Sequence, residues 1–469
     1  MIPDTFSLVA AIGTMLALGC CPCSAASDAQ PPSPPAGPAW AWNQPVYETS
    51  LELSTPGGKF REFEQRLDAL QDLGVGIIWF VPIFPRGGNP PDKPSSNSPY
   101  CVRDYLDVNP KHGTQEEFKH MVAAIHARGM YAIMDWVPNH TSWGNELIKT
   151  HPEFYKKDRE GHIAQAGPWR DVAQLDYGNR DLWQYMYEAR KHWITSFGVD
   201  GFREDVANFV PLEFWRWLRP KLNALKPVFL LAETDKPEFH PMFDMTYDWT
   251  SQAYFYMLAR GDWPASSLDR LLDGEKQQYP AGAVRMRHLS NHDMSRDQYA
   301  IFNRRFLDKR DADFLKTTSL AEKYKQGVQA FAVLCATLPN GKPMLWNGQE
   351  LGILSNTPKL AWKDSPLTAF YRVLLHAFRE NPALYRGSFG KIATAQPQAV
   401  YAFWRQAGQN RAVVVLNLSD HAQRASLDIG VAAGDYTEVF TRRNTTLAAK
   451  EHLDLAPWAY KLYLRGDHP

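Results

Sequence analysis

Cysteine is scarce. The 469 residues hold five, and Cys20, Cys21 and Cys23 fall within the first 26. Only Cys101 and Cys335 remain beyond them, far apart in sequence. A disulfide framework is excluded and at most one bridge stays open. Neither sign of charge is in excess, with 51 Lys and Arg against 51 Asp and Glu. The electrostatic footprint of a nucleic-acid or anionic-membrane binder is therefore missing. There is no repeat, heptad or collagen pattern. There is also no Cys/His metal-site spacing and no phosphate-binding glycine loop. Residues 5–19 are apolar but too short for a comfortable membrane span.

That apolar run, followed by Ser24-Ala25-Ala26, reads as a signal peptide over residues 1–26, although it opens with Asp4 and no Lys or Arg. Leu18-Gly19-Cys20 is only loosely a lipoprotein box, so a lipid anchor on Cys20 or Cys21 is the minority reading. Residues 27–42 form a Pro-rich linker of polyproline character. The expected location is periplasmic or secreted, with no membrane in the mature form.

What is plentiful is aromatic: 16 Trp, 20 Tyr and 24 Phe. Such rings line sugar-binding clefts, but they also fill cores. Between residues 43 and 382 short apolar strands alternate with amphipathic helices. Val46 to Leu53 alternates as a first strand, and Val75 to Val81 and Met130 to Met134 are continuous apolar runs. Thr114 with Glu117 makes a helix capping box. The alternation pauses over 141–179, then resumes with strands at 200–205, 228–233, 243–249, 286–289 and 344–346. Strand and helix in strict alternation predict a parallel sheet, and eight units predict a (β/α)₈ TIM barrel with a short insertion after strand 3. From 383 to 469 the pattern changes to short alternating strands, read as a C-terminal antiparallel β-sandwich domain.

Four of the barrel strands end in acids: Asp135, Asp205, Glu233 and, after Asn291-His292, Asp293. Strand C-termini of a parallel barrel converge on one face, where its chemistry sits. Several carboxylates among Trp and Tyr point to glycoside chemistry, which needs one protonated carboxyl group and one ionised. Glu233 follows Phe229-Leu-Leu-Ala232, an apolar flank that favours the acid role. Arg203 lies two residues from Asp205, on the same strand face, and is expected to hold that carboxyl down and ionised. Asp293 suits stabilisation of developing positive charge.

The set resembles the α-amylase family, glycoside hydrolase family 13. Its motifs stand here as Asp135-Trp-Val-Pro-Asn-His140, Gly201-Phe-Arg-Glu-Asp205, Leu231-Ala-Glu233 and Ser290-Asn-His-Asp293. Ser98-Pro-Tyr-Cys-Val-Arg-Asp-Tyr105 and Gly341-Lys-Pro-Met-Leu-Trp-Asn-Gly-Gln-Glu350 support them. The resemblance implies Asp205 as nucleophile, Glu233 as acid and then base, and Asp293 as transition-state stabiliser. It implies that Arg203 orients Asp205, that His140 and His292 hydrogen-bond the reacting sugar, and that Tyr100 stacks on it. Asp135 and Asp104 are expected as braces, and Asp244 and Asp248 as solvated strand ends. Trp143 and Trp169 are each read equally well as sugar platforms or as core.

The chain also departs from the family pattern. Many amylases place Lys-His three and four residues after the nucleophile; here those positions are Asn208 and Phe209. No cofactor is required. Asn139 and Asp171 are compatible with a structural calcium, which the pattern does not demand. The resulting expectation is an exported retaining α-glucan hydrolase, foremost an α-amylase cutting internal α-1,4 bonds of starch or maltodextrins. The alternatives are an α-glucosidase, a cyclomaltodextrinase or a glucan transferase of the same family and, remotely, an inactive sugar-binding homologue.

Overall fold

The computed structural model describes residues 37–94, 96–293, 324–352 and 362–466. The expected signal peptide and most of the linker lie outside the described residues. Eight parallel strands close a barrel: β1 (Val46–Thr49), β2 (Ile77–Phe80), β3 (Tyr131–Trp136), β7 (Gly201–Glu204), β8 (Phe229–Ala232), β9 (Met245–Tyr247), β10 (Arg285–His288) and β11 (Gly341–Trp346). β1 closes the ring by pairing with β2 on one side and β11 on the other. The first strand stops four residues short of its expected end, because Leu51–Ser54 turns helical. Asn347 Oδ1 takes the Ser50 N–H at 2.9 Å, which ends the ladder there.

The pleat sorts the side chains. Ile77 and Trp79, Phe229 and Leu231, and Met245 and Tyr247 pack inside the barrel. Ile78, Phe80, Phe202 and Leu230 point outward against the helices. This period of two explains the run Arg203-Glu204-Asp205. Arg203 and Asp205 share the inner side at the barrel mouth. Glu204 faces outward and meets Arg190 of the helix Arg180–Phe197 in a two-pronged pair at 2.9 and 2.6 Å. Both side chains are fully buried. Gly201 opens the strand because a Cβ there would come within 1.9 Å of the Phe229 carbonyl oxygen.

The Arg190–Glu204 pair carries a prediction. Arg190→Met should destabilise the fold by about 3–5 kcal/mol, because it strands a buried carboxylate. Adding Glu204→Gln should restore most of that loss, as read by chemical denaturation. A single variant as stable as the parent would contradict it.

The insertion forms a three-stranded antiparallel sheet from β4 (His140–Ser142), β5 (Gln165–Ala166) and β6 (Trp169–Gln174). Beyond the barrel, eight antiparallel strands between Ser388 and Arg465 build the C-terminal domain over its own core of Val400, Val413, Val415 and Leu427. Arg405 ties that domain back, donating to the Thr337 carbonyl at 2.7 Å. Cys101 and Cys335 are both buried and unbridged.

Candidate active site

Each strand that ends in an acid delivers it to one end of the barrel, around a cleft of about 550 Å³. That volume lies within the range of ligand pockets. Tyr100, His140, Asp205, Glu233, His292 and Asp293 all line it. Arg203 sits beneath, without exposed surface, and holds three carboxylates at once. Its Nη1 donates to Asp135 Oδ1 at 2.7 Å and to Asp205 Oδ1 at 2.9 Å. Its Nη2 lies 2.9 Å from Glu233 Oε2, off hydrogen-bond alignment. Its Nε donates to the Tyr247 hydroxyl at 3.2 Å.

The second cation is His292. Its Nδ1 meets Glu48 Oε1, and its Nε2 lies 2.7 Å from the Tyr100 hydroxyl and 3.3 Å from Asp293 Oδ1. Tyr100 in turn donates to Asp135 Oδ2 at 2.9 Å. Tyr100 also stacks on His292, with ring centroids 5.4 Å apart. Burial alone would push His292 down, but the Asp293 and Glu48 carboxylates outweigh it and raise it to about 9. The imidazolium form therefore persists at neutral pH.

Two cations serve five acids in this cluster: Glu48, Asp135, Asp205, Glu233 and Asp293. Full ionisation is unfavourable, and the cluster must hold protons. Glu233 is raised to about 8, first by burial and then by the Asp205 and Asp293 charges, against the pull of Arg203. Asp205 is raised to about 6, again mainly by burial, with Arg203 opposing. The expectation that Arg203 holds Asp205 below the ordinary range is corrected here. Arg203 does pull it down, but burial and the neighbouring acids win. The ordering needed for chemistry survives, because Glu233 lies above Asp205.

The loop after β7 is strained. Val206 is β-branched yet sits left-handed at φ 38° and ψ 46°, which costs on the order of 1–3 kcal/mol. The turn aims its N–H at Glu233 Oε2, 2.6 Å away. It also leads into the short turn that presents Phe209, 54% exposed. Trp169 is 37% exposed, and its ring lies 6.0 Å from Phe209 and 5.4 Å from His140. Trp143, by contrast, is 9% exposed and donates to the Arg170 carbonyl. The structure separates the two tryptophans: Trp169 is placed to meet ligand and Trp143 to pack.

Sequence reasoning missed several participants. Glu48 in β1 carried a signal, as an acid in a buried strand near its C-terminal end. Tyr247, Gln174 and Val206 carried none. Asp244 and Asp248 are not solvated strand ends. Asp248 has no exposed surface and lies 2.9 Å from Arg287. Asp244 takes both terminal nitrogens of Arg219 at 2.8 and 2.9 Å. Their cations come from other elements, invisible along the chain. Asp104 is exposed and accepts the Leu106 N–H, bracing only its own turn.

The residues compatible with calcium do not fit one. Asn139 Oδ1 and the Asn139 carbonyl both accept from Gln174 Nε2. Asp171 lines the cleft and gives its carbonyl to Asn89 and Cys101. Among the described residues no group of three or more His, Cys, Asp or Glu is arranged to hold a metal ion.

Comparison with known proteins agrees with this fold. Residues 44–160 match the family profile "Alpha amylase, catalytic domain", and residues 391–462 match "Maltogenic Amylase, C-terminal domain". Alpha-amylase 2 of Dictyoglomus thermophilum is 26% identical over 444 residues, covering 88% of this chain and 71% of that protein. A cyclomaltodextrinase of a Bacillus species is 24% identical over 398 residues, covering 77% of this chain and 66% of its own. Among solved structures, the maltogenic alpha-amylase AmyB of Thermotoga neapolitana superposes with a TM-score of 0.77. It is 26% identical, over 91% of this chain and 99% of that one.

Proposed function

This chain belongs to the α-amylase family, glycoside hydrolase family 13, and on that footing we propose that it is a retaining α-glucan hydrolase acting on short maltooligosaccharides and cyclomaltodextrins in preference to long starch chains. The observation that carries the retaining assignment is Arg203. One guanidinium contacts both Asp205 and Glu233. Two carboxyl groups clamped on one planar fork stay close, as a covalent intermediate needs. An inverting pair must stand wider to admit water between acid and base.

In the first step Glu233 gives its proton to the glycosidic oxygen while Asp205 attacks the anomeric carbon. The sugar on the far side leaves with that proton. Asp205 is left esterified to the remaining glycosyl unit, in β configuration. In the second step Glu233, now a carboxylate, takes a proton from water, and the water oxygen displaces Asp205. Two inversions return the α anomer. Arg203 and the His292–Tyr100–Asp135 chain keep the cluster aligned, and Asp293 faces the developing positive charge.

Substrate size rests on different support. The C-terminal match is of the maltogenic type, and the relatives include cyclomaltodextrinases. The exposed Trp169–Phe209 pair lies beside His140, with Trp169 on the wall of the cleft. It offers apolar ring faces there in place of a Lys-His pair.

The test is the product profile on cyclomaltodextrin, maltoheptaose and amylose, with the first anomer read by NMR. The expected result is kcat/KM on cyclomaltodextrin at least about tenfold above amylose, roughly 1.4 kcal/mol of discrimination. The first products should be α-anomeric. Mid-length oligosaccharides from amylose without turnover of cyclomaltodextrin would restore the internally cutting α-amylase. A β-anomeric first product would remove the retaining mechanism.

A further inference from the structure

The chain leaves the barrel through Val137–Asn139, between β3 and β4, and every carbonyl in this passage is claimed by a donor. Tyr105 Oη shares its one proton between the Val137 carbonyl at 2.7 Å and the His140 carbonyl at 3.0 Å. Tyr177 Oη donates to Pro138 at 2.8 Å. Asn139 is met by Gln174, at the end of β6, paired in register with His140 across the sheet. Gln174 Nε2 lies 2.9 Å from the Asn139 carbonyl, 2.9 Å from Asn139 Oδ1 and 3.2 Å from the Leu175 carbonyl. Three oxygens converging on one point are the ligand set of a hard cation. Here the point is held by an amide nitrogen.

The consequence reaches the cleft. With Oδ1 committed to Gln174, the other end of the Asn139 amide faces His140, and Nδ2 lies 3.2 Å from His140 Nδ1. An amide nitrogen only donates, so Nδ1 must be the bare, accepting nitrogen. The single proton of a neutral imidazole then sits on Nε2. Burial depresses His140 to about 4, so the ring is neutral across the working range. Reversing the Asn139 amide would set its oxygen against Nδ1 and move the ring proton there.

We propose that Gln174 is a positioning residue that does the work of a structural cation at the mouth of the insertion and, through Asn139, fixes His140 in the Nε2–H tautomer. Its part in substrate binding rests on the glycosidase reading above; its parts in the tautomer and in calcium independence do not. Gln174→Glu replaces the donor by a carboxylate and completes an all-oxygen site. That variant turns a calcium-independent hinge into a calcium-dependent one.

The experiment uses the full chain and CaCl₂ as the probe. Wild-type melting temperature should be the same in EDTA and in millimolar CaCl₂. Gln174→Glu should melt several degrees lower in EDTA and recover with CaCl₂, whereas Gln174→Ala should melt lower in both. Proton–nitrogen correlation on ¹⁵N-histidine-labelled protein should show His140 protonated at Nε2 in the wild type and in calcium-loaded Gln174→Glu. In Gln174→Ala the signal should move to mixed tautomers, with kcat/KM on maltooligosaccharides lower by about 10- to 100-fold. Three results would overturn the proposal: a wild-type melting temperature that falls on chelation, a wild-type His140 protonated at Nδ1, or a Gln174→Glu variant indifferent to calcium. The first two need no variant to fold. If the tautomer and calcium results hold while no α-glucan is turned over, the functional reading fails and the hinge assignment stands.

Discussion

Asp205→Asn is expected to lower turnover of maltooligosaccharides by on the order of 10⁴-fold while leaving the chain folded and able to bind glucan. The amide keeps the shape of the side chain but cannot attack the anomeric carbon. Binding should survive, because Tyr100, His140, His292 and Asp293 are untouched. Stability should not fall, and the sign can be worked out. The Asp205 carboxyl is raised to about 6 in the folded chain, chiefly by burial. A raised acid costs stability as pH climbs past the ordinary carboxylate range, and that cost is complete above the folded-state value. A neutral amide removes it. Arg203 loses one ion-pair partner but still faces Asp135 and Glu233. The melting temperature at pH 7 should match or exceed the wild type. Calorimetry, with maltoheptaose binding measured alongside turnover, checks both halves. Near-normal turnover would remove Asp205 from the nucleophile role.

Glu233→Gln should cost about 10²- to 10⁴-fold on maltooligosaccharides, the range that proton transfer to a poor leaving group supplies. The loss should be much smaller for the glycosylation of α-maltosyl fluoride, because fluoride departs without a proton. The pH profile gives the finer test. In the wild type, activity should fall below about 6, as the Asp205 side of the cluster takes up a proton. It should fall again above about 8, as Glu233 loses the proton it must donate. These limbs belong to coupled groups, so the profile reports the cluster rather than isolated residues. In Glu233→Gln, assayed on the fluoride, the alkaline limb should vanish and the acid limb remain. An alkaline limb that persists would place the proton donor elsewhere. Added azide should intercept the β-glycosyl-enzyme of this variant with inversion and give the α-maltosyl azide, since azide needs no base.

Both predictions depend on how charge is shared at the barrel mouth, and there the sequence and the folded chain contributed differently. The alternation of strands and amphipathic helices was sufficient for the barrel, since strands such as β2 and β8, buried on both faces, show as unbroken apolar runs. The acids at strand ends then had one place to go. Asp205, Glu233, His292 and Asp293 were legible because barrel topology gathers strand C-termini whatever the loops do. The opposed facing of Arg203 and Glu204 was equally readable, being a matter of a period of two.

What the chain alone could not decide was anything set by a partner from another element. Asp248 looked like a free strand end until Arg287 arrived from the next strand. Asp205 looked depressed because Arg203 is its neighbour in sequence. Its burial is a product of the closed barrel, and the Asp135 and Asp293 carboxylates that raise it come from β3 and the segment after β10. Trp143 and Trp169 were alike on paper, and only packing buried one ring and left the other beside Phe209. Gln174 gave no signal, because its meaning lies in the two oxygens of Asn139 that it meets from another strand. Sequence determines what recurs along the chain, namely period, strand ends and motif order. Protonation, exposure and hydrogen-bond direction are sums over neighbours in space, and those neighbours exist only once the barrel has closed.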